Sequence, residues 1–296
     1  MLHISLAAEK IAEIGSFPIT NSLLSTWIVM GILTFLAFIA GRSVKMIPSH
    51  IQSLAEILLG GLYDFFESVM GHHIKKAFPI IASLFLFIIV ANWFGLLPGV
   101  GTIGFYEEEA KTEVATEVET PAEKSALIEE STNSVVPDHG KEVTAEKTSA
   151  GESGVVSKEP ASHTEKIFVP LLRGATADLN TTIALALVAF IAIQYFGFAT
   201  LGFHYSKRFL NFSNPIMFFV GLLELVSDLS KVVSFAFRLF GNVFAGEVLL
   251  AVMAFLMPFI APMPFLLLEL FVGFIQALVF STLTAVFINV AVAHEG

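Results

Sequence analysis

Apolar residues run almost unbroken through five stretches, near residues 22–41, 79–99, 180–203, 214–257 and 264–292. A hydrocarbon core of ~30 Å takes ~20 apolar residues at helical rise, so each stretch predicts a membrane-crossing helix. The fourth is too long for one upright crossing, which predicts a tilt or a start outside the bilayer. Pro258, Pro262 and Pro264 predict a tight turn into the fifth, because proline removes a helix donor and restricts the residue before it. Between the first two runs, SHIQSLAEILLGGLYDFFESVMGHH places Ile51, Leu54, Leu58 and Leu62 on one face, the pattern of an amphipathic helix lying in the membrane plane. The expected fold is an all-α membrane protein, about five transmembrane helices plus one in-plane helix, in a single membrane domain over 1–296 with the last two spans long and tilted.

Composition agrees with that pattern. A content of 55% hydrophobic residues against 14% charged, with 30 Phe, lies far from a soluble average. The absence of cysteine excludes disulfides, thiol chemistry and Cys-based metal sites. The net charge of -10 is concentrated: residues 107–166 hold 15 Asp and Glu against 6 Lys and no aromatic residue, so this acidic insert is expected to be disordered. The N-terminal stretch has neither a basic start nor a short apolar core, and is expected to be retained.

Basic residues in short loops mark the cytoplasmic side. GRSVK after the first span, HHIKK before the second and SKR after the third share one side if the N-terminus is outside and the C-terminus cytoplasmic. The acidic insert then becomes an outer loop.

Against this background SFAFRLFGNVFAGE, residues 234–247, places Arg238 inside an apolar run. Charges within spans are expensive and mark functional positions by default. Residues one turn either side of Arg238, Ser234 and Asn242, are polar but uncharged, so its counterion must come from another helix or another chain. At ~100° per residue, Lys231, Ser234, Arg238, Asn242 and Ala245 cluster on one face, with Gly241 and Ala245 small enough for a neighbouring helix to approach. Glu247 lies ~180° round the helix and ~13 Å along it, too far to pair with Arg238. On the last span Glu269 and Gln276 share a face, and with Glu247 they suggest a wet, protonatable entrance toward the outer end. Glu224 and Asp228, one turn apart near the cytoplasmic end, suggest an exit, or an interfacial charge pair with Lys231. His72, His73, His294 and Glu295 lack metal-ligand spacing, and the tripeptides at Asn180 and Asn211 are too short to carry a glycosylation argument. No phosphate-cradling glycine loop is present, so no metal, cofactor, nucleotide or nucleic acid is expected on this chain.

The string FRLFGNVFAGE, with the proline turn and FIQALVFSTLTAVFI beyond it, closely resembles subunit a of the rotary F-type ATP synthase. ANWFGLLPG at 91–99 and TADLNTTIALAL at 176–187 are similar to further family stretches. The resemblance implies a stator against a ring of c subunits, with b-type peripheral-stalk subunits and lipid as its other partners, in an energy-coupling membrane such as a bacterial inner membrane. It implies that Arg238 faces the ring carboxyl, that Asn242 and Gln276 lie near it, and that Glu247 and Glu269 line the half-channel open to the outside. The family often has histidine at one of these last two positions, and both are glutamate here. A guanidinium ~4 Å from a carboxylate at an effective dielectric of ~20 contributes ~4 kcal/mol in favour of the deprotonated ring site. Arginine suits this role better than lysine because it stays charged when buried. Two rival readings are weaker. A secondary transporter of an anionic solute calls for internal repeats, and an intramembrane hydrolase for metal ligands or an activated nucleophile; the sequence shows neither.

Overall fold

Each apolar run becomes a helix because a backbone out of water must satisfy its own hydrogen bonds. The computed structural model describes residues 8–14, 17–42, 50–109, 165–202, 205, 215–257 and 260–293. Its helices are α1 Asn21–Arg42, α2 His50–Met70, α3 Ile74–Gly95, α4 Leu179–Leu201, α5 Pro215–Leu256 and α6 Pro262–Val292. All but α2 are long and apolar enough to cross a membrane. At about 1.5 Å per residue the 42 residues of α5 extend about 63 Å, roughly twice a hydrocarbon core of ~30 Å, so α5 must tilt or project beyond it.

The helix ends refine the expected boundaries. α3 starts ahead of the anticipated residue 79, placing Lys75 and Lys76 in its first turn and Pro79 inside it, and it stops at Gly95 before Pro98. Pro262 opens α6 in the first turn, where its missing donor costs nothing. An antiparallel pair of short strands, β1 Lys10–Ile14 and β2 Phe17–Thr20, precedes α1. Thr20 then caps that helix, its Oγ1 accepting from the Leu23 amide at 3.3 Å. Lys45, Lys207, Arg208, Asn211, Pro258, His294 and Glu295 lie outside the described residues.

Helix α2 is present where the amphipathic pattern puts it, but its buried stripe is different. Leu62, Phe66 and Met70, spaced by one turn, enter the core, whereas Leu54 and Leu58 remain exposed. The apolar period alone does not say which leucines meet protein and which meet lipid.

Packing inside a span cannot rely on the hydrophobic effect, since lipid is as apolar as leucine; close backbone approach and hydrogen bonds take over. Gly273, Ala277, Ser281 and Ala285 recur every four residues along the buried side of α6. Against them stand Ala77, Ile81, Phe85 and Ile88 of α3, Ala186, Ala189 and Ile193 of α4, and Phe235 and Leu239 of α5, all in one core. Phe235 fits between the rings of Phe280 and Phe287, with centroids 5.0 and 5.8 Å away. That contact fixes the rotation of α5 about its axis, and so decides which residues point the other way.

By compactness the chain divides into Met1–Glu107 with Phe168–Gly296, and Glu108–Ile167. Within the acidic insert, residues 110–164 lie outside the described residues, so its expected disorder is not addressed there. Its two roots are described. β3 Pro98–Gly101 is followed by β4 Gly104–Glu109, which pairs with β5 Glu165–Pro170. The ladder continues through Leu171 N to Ile103 O at 2.8 Å and Gly101 N to Leu172 O at 2.8 Å. Gly104 is required here, because a Cβ would fall on the Val169 carbonyl. The chain therefore returns beside the point where it left, as in a hairpin. Replacing residues 110–164 by an Asn-Gly turn, which suits paired strands, is expected to leave membrane insertion and activity at wild-type level. Comparing the membrane yield and the activity of the shortened chain with those of the full chain checks this; a loss of either would make the insert a required structural element.

Candidate functional site

The face of α5 opposite Phe235 and Leu239 is open. Ser234, Arg238, Gly241, Asn242 and Ala245 are all exposed, while Ala236, Leu239 and Phe240 of the same turns are buried. Arg238 Nη2 donates to Ser234 Oγ at 3.4 Å, a long contact, and no carboxylate among the described residues lies within ion-pair distance of it. Lys231, expected on this face, turns aside into another pairing. Asn242 Nδ2 donates to Gln276 Oε1 at 2.9 Å, a direct contact between the two amides. Gln276 is buried, and its Nε2 finds no acceptor among the described residues. A buried donor of this kind calls for a water or a group from another chain.

Toward the α5–α6 turn, two glutamates sit on neighbouring helices in unlike surroundings. The carboxyl of Glu269, half-buried on α6, occupies the space that a Cβ on Gly246 would fill, which brings it against the α5 backbone one residue before Glu247. Among the described residues it makes no hydrogen bond or ion pair. Glu247 faces away from Arg238, as the helical rotation requires, and is taken by Arg173. Arg173 Nε donates to both of its oxygens at 3.2 and 3.3 Å, and Nη2 to Oε2 at 3.1 Å. The arginine side chain is 6% exposed and the glutamate 39%, so the guanidinium is enclosed while the carboxylate keeps an open edge.

A polar knot holds this end together. Thr176, in a short turn ahead of α4, donates through Oγ1 to Asn92 Oδ1 at 2.7 Å, and Asn92 Nδ2 donates to the Gly273 carbonyl at 3.2 Å. Trp93 Nε1 reaches the Leu270 carbonyl at 3.1 Å. Ser22 of α1 donates to the buried Asp178 at 3.2 Å. The bonds to the Leu270 and Gly273 carbonyls lie within about one turn of Glu269 and clamp the start of α6 to α3.

At the other end, Asp228 is buried rather than solvated. Lys231 Nζ lies 2.6 Å from its Oδ1, Gln194 Nε2 donates to Oδ2 at 3.0 Å, and the lysine also sits 4.7 Å over the Phe287 ring. Of the two carboxylates expected there, Asp228 belongs to this pair and Glu224 lies half-buried one turn away. Sequence reasoning missed Arg173, Asn92, Thr176, Gln194 and Gly246. Asn92, Thr176 and Gly246 stand in stretches whose pattern had drawn notice; Arg173 is a lone charge in FVPLLRGA, the sort of signal that also flagged Arg238. No group of three or more metal-ligating side chains is present among the described residues.

The family described as ATP synthase A chain matches residues 23–289. The ATP synthase subunit a of Trichlorobacter lovleyi is 30% identical over 98% of this chain and 90% of its own length. Those of Geotalea uraniireducens and Geobacter sulfurreducens are each 28% identical over 94% of this chain and 89% of theirs.

Gly246→Ala is expected to insert normally, since the atoms in its way end a flexible side chain, but to push the Glu269 carboxyl aside. Proton uptake by vesicles matched for subunit content should fall severalfold. Wild-type uptake would show that the position of this carboxyl is unimportant.

Proposed function

The chain belongs to the ATP synthase A chain family, and from that premise we propose that it is the stator against which a ring of c subunits turns, with Arg238 as the charge the ring carboxyls meet. It is an integral membrane component of the synthase and has no catalytic site of its own. The observation that carries the finer reading is Arg238 on an open helix face, with no ion-pair partner among the described residues and with the opposite side of the helix locked into the core by Phe235 and Leu239.

A permanent cation in a low-dielectric setting attracts a passing carboxylate by ~4 kcal/mol at ~4 Å and an effective dielectric of ~20. The ring site sheds its proton as it nears Arg238, passes as an ion pair, and is reprotonated before it re-enters lipid, where a bare carboxylate is costly. Gly241 and Ala245 let the ring helix come close. Two blind half-channels serve these steps. The one open to the outside runs between α5 and α6 past Glu247 and Glu269 to the Asn242–Gln276 pair, whose unpartnered Nε2 marks a place for water. The other rises from the cytoplasmic end past Glu224 to Ser234, with Asp228 kept neutral in sum by Lys231. Between them the fixed charge of Arg238 repels protons and prevents leak. The orientation with the N-terminus outside, the b-type stalk contacts and a bacterial inner membrane as the location follow from the same reading.

Arg238→Ala should abolish ATP-driven acidification of inverted vesicles while the subunit still assembles, because an exposed side chain is removed and alanine favours helix. Arg238→Lys should recover little of it, since an ammonium loses its charge more readily in such a site and lacks the planar fork. Acidification by Arg238→Ala at the wild-type rate would refute the proposal.

A further inference from the structure

Lys231 stands where two surfaces of α5 meet. At about 100° per residue it lies about 20° round the helix from Arg238 and about 10 Å along it, while Phe235, on the buried side, is about 40° the other way. Its four-carbon stem can lay the ammonium on either surface. It goes inward. Nζ lies 2.6 Å from Asp228 Oδ1 and 4.7 Å over the Phe287 ring, and the side chain is 23% exposed. The open face beside it is left to Ser234 and Arg238.

Asp228 has no such choice. Its short side chain is 4% exposed, and Gln194 of α4 donates to its other oxygen at 3.0 Å, so the carboxylate is oriented from a neighbouring helix independently of the lysine. The acid is the fixed member of the pair, and the base is the member with somewhere else to go. Phe287 of α6 adds a second hold on the ammonium, and the same ring packs 5.8 Å from Phe235, the residue that sets the rotation of α5. Three helices thus meet round one lysine.

We propose that Asp228 is a positioning residue that keeps Lys231 off the face of α5 carrying Arg238, so that a passing ring carboxylate meets one cation and not two. This deepens the proposed function and rests on that face lying against the ring. The ring site has to leave Arg238 as well as reach it, and it leaves by taking up a proton. A second positive charge within reach favours the anion, and so delays that step. A lysine without its carboxylate turns toward whatever anion or water is in reach, and on this face the ring carboxylate supplies one. The pair serves as a restraint on one charge rather than as a source of stability, since desolvation offsets much of the attraction within a buried ion pair.

The test uses intact synthase in inverted vesicles, with ATP-driven acidification normalised to assembled complex. Asp228→Asn keeps the shape and an oxygen for Gln194 but frees Lys231, and should lower acidification about fivefold, within the range of coupling between contacting residues. Adding Lys231→Met removes the freed cation and should recover most of that loss. If the combined variant is as slow as Asp228→Asn, the carboxylate or the intact pair is itself required and the inference is wrong; acidification by Asp228→Asn at the wild-type rate would equally overturn it. A membrane-permeant carbodiimide gives a readout that loss of packing alone would not move. It should join the Lys231 amine to a ring carboxyl as an amide in Asp228→Asn and not in the wild type; absence of that product from the variant, or its presence in the wild type, would contradict the proposal. If Asp228→Asn fails to assemble, the combined variant, which buries no unpaired charge, decides: acidification near the wild-type rate supports the restraint, and a loss of about fivefold refutes it. Failure of the stator reading is separate and shows as wild-type acidification in Arg238→Ala.

Discussion

Arg238 is a permanent charge held on an open helix face with no carboxylate among the described residues to neutralise it, and most of the structure serves to keep it so. A guanidinium on a flexible or freely rotating helix would turn toward the nearest anion or snorkel to water. Here the rotation of α5 is fixed from behind. Phe235 lies between Phe280 and Phe287, Leu239 is fully buried, and the small residues of α6 allow that approach. The charge points outward because the aromatic face of the same helix points inward.

The other enclosed charges are kept from competing with it. Lys231 lies two turns before Arg238 on the same helix, and a second free cation there would also attract a passing anion. It is instead neutralised by Asp228 and covered by Phe287. Glu247, nine residues beyond Arg238, is engaged by Arg173. Buried pairs of this kind contribute little net stability, since desolvation offsets much of their attraction. With these charges paired, Arg238 and Glu269 are left without an ion-pair partner among the described residues.

What the sequence revealed follows from local geometry. Span positions, the proline turn, and the shared face of Ser234, Arg238 and Asn242 depend only on helical rise and rotation, so they could be read directly. The rotation also placed Glu247 correctly, away from Arg238. What stayed hidden was long-range. Arg173 and Glu247 are 74 residues apart, Thr176 and Asn92 84, and Gln194 and Asp228 34. No periodicity within one helix relates such pairs. Of the two readings open for Asp228, the pair with Lys231, three residues on along the same helix, is present, while its bond from Gln194 is one of the long-range contacts. The stripe of α2 was misplaced because leucines facing lipid and leucines facing protein look alike in a chain of this composition.

The central claim is that the open face of α5 carrying Arg238 lies against the ring. Because the chain has no cysteine, single substitutions give a direct measurement: Gly241→Cys and Ala245→Cys on the open face, and Ala236→Cys on the buried one, each tested for disulfide cross-linking to a cysteine placed one turn from the ring carboxyl. The account predicts cross-links from positions 241 and 245 and none from 236. Cross-linking from 236 alone, or none from the open face in fully assembled complexes, would contradict it.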